Sequence, residues 1–160
     1  MPSVEMIHQM LDYNYTLQTR LWDSIMTLTD AQFVEPVPYS IGSIHHHMVH
    51  LADVDRSWLR DLMGMPEAPH DRYRPEDHPT RECVRSLCAE AAIDLMTYAI
   101  ALDDADLTRQ PSGLSLTVWQ VLLHVVNHGT DHRAQVLRAL HDLGAPTFDQ
   151  DLSYHLTSRC

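Results

Sequence analysis

The sequence predicts an all-α fold, a four-helix bundle, and three observations carry the prediction. Four long segments place apolar side chains three and four residues apart, the period of a helix with one buried face. All nine prolines fall outside those segments, where helices must stop. Glycine supplies only 5 of 160 residues, which fits a bundle better than a turn-rich β-sandwich. Segments of roughly 20–28 residues make helices about 30–40 Å long, the dimensions of a bundle.

The first helix is expected from Ser3 to Leu28, with Ser3 as N-cap and Val4, Ile7, Leu11, Leu21, Ile25 and Leu28 on one stripe. Asn14 and Gln18 occupy that stripe where apolar residues belong. Either the face turns polar as it passes a cavity, or the register is imprecise. Pro36 and Pro38 make residues 35–40 a linker. The second helix runs from Ser43 to Met63, lined by Ile44, Met48, Leu51, Trp58 and Leu62, and stops at Gly64. Asp55 shares its stripe. Four prolines make residues 65–79 a long connection. The third helix spans Thr80 to Asp103, with Val84, Leu87, Ala91, Leu95, Tyr98 and Leu102 spaced for burial. A turn-rich insert from Asp104 to Ser115, read as a short extended pair, precedes the fourth helix from Leu116 to Gly144. Its stripe is Val118, Leu122, Val125, Gly129, Val136 and Leu140, and the tail is expected to pack Phe148, Leu152 and Tyr154 across the bundle.

Composition narrows the function. With 44% hydrophobic and 21% charged residues, residues 1–160 read as one globular domain. The net charge of −11 disfavours nucleic acid and anionic lipid as partners. No apolar run approaches the roughly 20 residues of a membrane span. Met1-Pro2-Ser3-Val4-Glu5 lacks a basic start and an apolar core, so the expected setting is cytoplasmic. Cys83, Cys88 and Cys160 include no CxxC pair and read as small hydrophobes or free thiols. No GxSxG nucleophile motif occurs.

Histidine is the departure from the average: twelve, in clusters. His128 and His132 lie four apart on the fourth helix, where both imidazoles can reach one ion. His124 extends the row, but ligands two turns apart are about 12 Å apart at the backbone, too far for one ion. A third ligand must come from the second helix, which offers His45, His46, His47 and His50. His50, deeper than the run at the helix start, is the choice. The run itself reads mainly as helix-start surface, and His124 as a packed or supporting residue. Three neutral imidazoles leave a position for water or substrate, as catalytic sites do. All-nitrogen ligation suits zinc, nickel, copper or iron, with zinc or nickel leading. Asn14, Gln18, Asp53 and Asp55 are candidates to orient the rings through hydrogen bonds.

Asn127-His128-Gly129-Thr130-Asp131-His132-Arg133-Ala134-Gln135-Val136 resembles the nHGtxHRgQ signature of the DinB/YfiT-like superfamily. His50-Leu51-Ala52-Asp53-Val54-Asp55-Arg56-Ser57-Trp58-Leu59 resembles its second-helix segment, and residues 11–15 and 148–152 resemble its ends. The resemblance covers nearly the whole chain. It implies an up-down-down-up four-helix bundle with a divalent metal on His50, His128 and His132. Ala134 replaces the usual glycine, and Asp55 stands where glutamate is common. The shorter acid leaves Arg133 either a tie to Asp55 or a surface residue.

The resemblance also implies function. Similar proteins include metal-dependent transferases using low-molecular-weight thiols and a thiol-dependent maleylpyruvate isomerase, and many are homodimers. The expectation is a metal-dependent enzyme that activates a small-molecule thiol (S-transferase-like) or water. The alternative is a non-catalytic metal-binding stress-response protein, a sensor or buffer. A homodimer is expected, since three tryptophans and six tyrosines suit an interface core.

Overall fold

A computed structural model describes residues 2–65 and 71–157, and the described residues contain helices and no strands. The four bundle helices are α1 (Val4–Ile25), α3 (Ile44–Leu62), α4 (Arg81–Ile100) and α6 (Val118–Asp142). Shorter helices are α2 (Asp30–Val34), α5 (Asp104–Leu107) and α7 (Leu152–Thr157). Side chains set the starts: Ser3, Ser43 and Thr80 accept the backbone N–H of Met6, His46 and Cys83. Each such cap supplies a partner for an N–H that the helix leaves open and is worth about 1 kcal/mol. Gly64 and Gly144, with φ of +74° and +72°, turn the chain away just beyond the ends of α3 and α6.

Pairwise contacts give the topology. Cys88 Sγ donates to the Met48 carbonyl and Tyr98 Oη to that of Leu62, so α3 and α4 run parallel. His8 meets the Ala99 carbonyl at one end of α1 and Asp23 meets Arg85 near the other, so α1 and α4 are antiparallel. His47 faces His132 and Trp58 faces His124, so α3 and α6 are antiparallel. The order is up-down-down-up. Parallel neighbours need a return path as long as a helix, about 28 Å for the 19 residues of α3. The proline-rich connection before α4 supplies it. Residues 66–70 of that connection, and Cys160, lie outside the described residues.

Two apolar clusters form the core. One gathers Leu21, Trp22, Ile25, Phe33, Met48 and Leu140; the other gathers Ile7, Leu11, Leu62, Leu95, Val118 and Leu122. Between them lies a buried polar layer: Asn14, Gln18, His47, Asp53, Asp55, His132 and Arg133.

Two sequence expectations are corrected, and two features are added. Asp30–Val34 form α2, a helix the apolar spacing does not show, because Thr29 and Gln32 make a reciprocal capping box and Phe33 is buried. Part of the expected extended pair is instead α5, started by a capping box of Asp103 with Asp106. In the tail, Phe148 and Leu152 pack on the core, but Tyr154 stays 64% exposed. Asn14 and Gln18 are in register: both are buried, at 1% and 5% exposure, and Gln18 borders a small pocket while Asn14 does not.

Arg133 is fully buried, which excludes the surface reading. Its Nη1 donates to the Asn14 carbonyl (3.2 Å) and to Asn14 Oδ1, its Nη2 to Thr130 Oγ1 (3.0 Å) and its Nε to Gln150 Oε1 (3.4 Å). The guanidinium lies 5.4 Å from the Tyr13 ring centroid. No ion pair joins it to Asp55 among the described residues; Asp55 accepts from Tyr15 Oη at 3.0 Å.

Gly129 makes this arrangement possible. A Cβ there would lie 2.3 Å from Asn14 Oδ1 and 3.1 Å from Arg133 Nη1. Alanine ordinarily favours a helix interior by about 1 kcal/mol over glycine. Here Gly129→Ala is expected to destabilise the protein by about 1–3 kcal/mol, the usual cost of overpacking. Urea unfolding checks it; unchanged or increased stability contradicts the packing argument.

Candidate metal centre

The candidate centre lies where α3 and α6 cross the polar layer. On α3, His47 and His50 are three residues apart; on α6, His128 and His132 are four apart, so each pair shares a face. The antiparallel pairing sets His47 against His132 and His50 against His128. His50, His128 and His132 each offer a nitrogen, and the three nitrogens lie within 4.8 Å of one another. His50 Nε2 and His128 Nε2 are 3.2 Å apart. Ring centroids are 5.1 Å apart for His50–His128, 4.8 Å for His50–His132 and 4.4 Å for His128–His132.

This donor set fits a divalent cation. Nitrogens 2.0–2.1 Å from a tetrahedral ion lie about 3.3 Å from each other, close to the His50–His128 spacing. Without an ion only one proton can lie between those two nitrogens, and the buried Nδ1 of His128 has no hydrogen-bond partner among the described residues. The rings are also held in the ligating form. Burial, assisted by neighbouring imidazoles, lowers the pKa of His128 and of His132 to about 4. Burial lowers that of His50 too, against the opposing pull of Asp53. Neutral imidazole is the form that binds metal.

The supporting residues differ in part from those expected, although Asp53 does lie beside His50 and pulls its pKa upward. Asp55 and Asn14 are spent on Tyr15 and Arg133, and Asp53 accepts the Tyr73 backbone N–H at 2.9 Å. Gln18 lines a small pocket with Tyr15, Trp22 and Cys88. His47 takes the place expected of them. Its Nδ1 lies 2.8 Å from His132 Nδ1, and its Nε2 lies 2.6 Å from Ser40 Oγ. Ser40 Oγ in turn donates to Gln135 Oε1. The surface reading of the run therefore holds only for exposed His46. His45 is buried against Phe33, with Nε2 2.8 Å from the His78 carbonyl. His124 is exposed, its ring between Trp58 (5.2 Å) and His128 (5.8 Å). The signal for His47 was its three-residue spacing from His50; nothing in the sequence marks Ser40, which sits in the linker.

A cavity of about 470 Å³ opens beside His50, lined also by Ile41, His46, Val49, Asp53, Arg72 and Tyr73. A smaller one, about 180 Å³, lies away from the histidines against Pro36, Tyr39 and Ala139. The thiol of Cys88 is buried and its pKa raised by that burial, so it is not a reactive nucleophile.

The DinB family model matches residues 1–158. The chain belongs to the DinB family. No curated protein matches it. Among its described residues, no helix is long and apolar enough to cross a membrane. In this DinB chain the family assignment and the three converging histidines agree on a site that could hold a metal.

The buried rings also set a pH dependence for the metal-free protein. His47, His128 and His132 titrate at about 4 when folded, against a reference near 6.5 when unfolded. As pH falls through that interval the unfolded chain gains protons that the folded one does not, so stability drops. Asp55 acts oppositely: burial raises its pKa to about 7, so it protonates first in the folded state. His45 and His50, also lowered by burial, act with the three, so the histidines outweigh Asp55 and leave a net loss. The urea midpoint is expected to be lower at about pH 5 than at about pH 7; an equal or higher midpoint at the acid end overturns the balance.

Proposed function

We propose that this DinB-family protein is a metal-dependent enzyme that holds one divalent ion, zinc or nickel, on His50, His128 and His132. It would activate a low-molecular-weight thiol, or water, for attack on a small electrophile. The observation that carries the reading is the placement of His50, which belongs both to the triad and to the wall of the 470 Å³ cavity. A metal kept only for structure gains nothing from an adjoining cavity, whereas a catalytic one needs an open position facing it. When bound, such an ion supplies Lewis acidity that favours the deprotonated form of a thiol or water.

The chain's own groups would do the rest. The cavity wall mixes apolar Ile41 and Val49 with charged Arg72 and Asp53, which suits a small molecule with an apolar body and a polar end.

Two ligands make a poor site, so His128→Ala and His132→Ala are each expected to abolish stoichiometric zinc binding. His141→Ala, exposed near the end of α6, should leave it intact. Tight binding of one equivalent by His128→Ala overturns the ligand set. Metal occupancy and thiol-transfer rate are best followed together between about pH 5 and 8, around the histidine range. Protons compete for the same nitrogens, so occupancy should fall toward acid. Full occupancy without turnover across a panel of thiols and electrophiles replaces the enzyme by a metal-binding stress protein.

The reading includes a homodimer. Trp22 is consumed by the core, which leaves half-buried Trp58 and Trp119 for an interface. Light scattering at micromolar protein is expected to give twice the chain mass; a particle of 18.3 kDa overturns the dimer.

A further inference from the structure

Five side chains form a hydrogen-bonded line that ends on His132. Gln135 Nε2 donates to Asp131 Oδ2 at 3.4 Å, and Ser40 Oγ donates to Gln135 Oε1. Ser40 Oγ is 2.6 Å from His47 Nε2, and His47 Nδ1 is 2.8 Å from His132 Nδ1. Each link has only one workable proton arrangement once its outer neighbour is fixed.

A carboxylate such as Asp131 can only accept, so the Gln135 amide must present its NH₂ to it and its carbonyl oxygen to Ser40. The single hydroxyl proton of Ser40 then goes to Gln135. Ser40 can therefore only accept from His47, which places the His47 proton on Nε2. A neutral imidazole carries one proton, so His47 Nδ1 is bare and accepts. The His132 proton must then sit on Nδ1, which leaves His132 Nε2 with a free lone pair. Since His132 Nδ1 is taken, that Nε2 is the nitrogen it can offer to the triad.

We propose that His47 is a positioning residue for this centre: with Ser40 and Gln135 it fixes His132 as the Nδ1–H tautomer and holds Nε2 ready to ligate. The line crosses three elements: the linker before α3, then α3, then α6. Its hydrogen bonds therefore orient the ring as well as protonate it. A ring nitrogen held by such a partner is a better-oriented and more basic ligand. His128, whose Nδ1 has no partner among the described residues, shows no equivalent there. The tautomer rests on hydrogen bonding alone; its effect on a metal rests on the function proposed above.

Two measurements separate those parts. Imidazole ¹⁵N NMR of the metal-free protein at about pH 7.5, where ordinary histidines are neutral, is expected to show His132 as Nδ1–H and His47 as Nε2–H. Nδ1–H is the minor form of free histidine in water, so finding it requires a specific cause. His132 as Nε2–H overturns the proposal whether or not the protein binds metal. The second measurement is zinc affinity by chelator competition. His47→Leu is expected to weaken zinc by about 10–100-fold, the usual effect of losing a ligand's hydrogen-bond partner. His47→Asn, whose amide oxygen can replace Nδ1 as acceptor, should recover most of the loss. Ser40→Ala lies outside the helices, so it tests the line even where His47→Leu does not fold; it should weaken zinc and release the His47 tautomer. Wild-type affinity in both His47→Leu and Ser40→Ala overturns the positioning role. A wild-type protein that binds no zinc overturns the metal reading and leaves the tautomer to the NMR.

Discussion

The structure depends on one buried guanidinium. Arg133 is removed from water, and burial lowers its pKa, so every acceptor it finds must come from the protein. Asn14 on α1, Thr130 on its own helix and Gln150 in the tail supply them. These bonds fix how α6 is rotated about its axis. Successive residues of a helix point about 100° apart, so holding Arg133 toward α1 turns its neighbour His132 toward α3. The orientation of the candidate ligands is a consequence of the arginine's search for acceptors. The missing side chain at Gly129 lets α1 and α6 approach closely enough for that search to succeed.

The cost of this polar layer explains its place between two apolar clusters. Each cluster has the interdigitated aliphatic packing that holds a bundle together, and each is carried by all four long helices. The layer between them is costly for charged groups, and burial shifts several of the groups there toward their neutral forms. His47, His128 and His132 lose affinity for protons, while Asp55, bonded to Tyr15, gains it. Asp55 and Arg133 influence each other without touching. Where a glutamate would extend one methylene further, this aspartate stays with Tyr15, and the arginine relies on neutral acceptors.

Most of the fold was legible because its signals are local. Apolar spacing, Ser3, Ser43, Thr80 and the two terminal glycines each act within a turn or two of the chain. The short helices α2 and α5 were not legible from periodicity, since neither is long enough to show a period; only their capping residues marked them. The cluster of three histidines was legible because two of them lie one turn apart and the third stands out on its helix. The polar residues Asn14 and Gln18 announced a buried polar layer, yet their partners lie across the bundle, beyond any local pattern. His47 was obscured by its neighbours: in a run of three histidines at a helix start, one faces solvent and two face the core, and only the register settles which. Ser40 carries no signal at all, because a linker serine acquires its role solely from what folds against it.

The three histidines are held unequally, and the inequality gives the site a direction. His132 is braced on its outer side by His47, itself only 1% exposed, so nothing can approach from there. His128 has its ring against that of His124, with Trp58 beyond, and this closes the other end of the row. His50 alone borders the cavity, beside Asp53, Arg72 and Tyr73. A group arriving at the triad would therefore come in along α3, from the side of the connection between α3 and α4. That connection exists because α3 and α4 run parallel and the chain must travel back along the bundle. The topology that requires a long crossover thus also provides part of the wall, at Arg72, Tyr73 and Pro75, of the cavity beside His50.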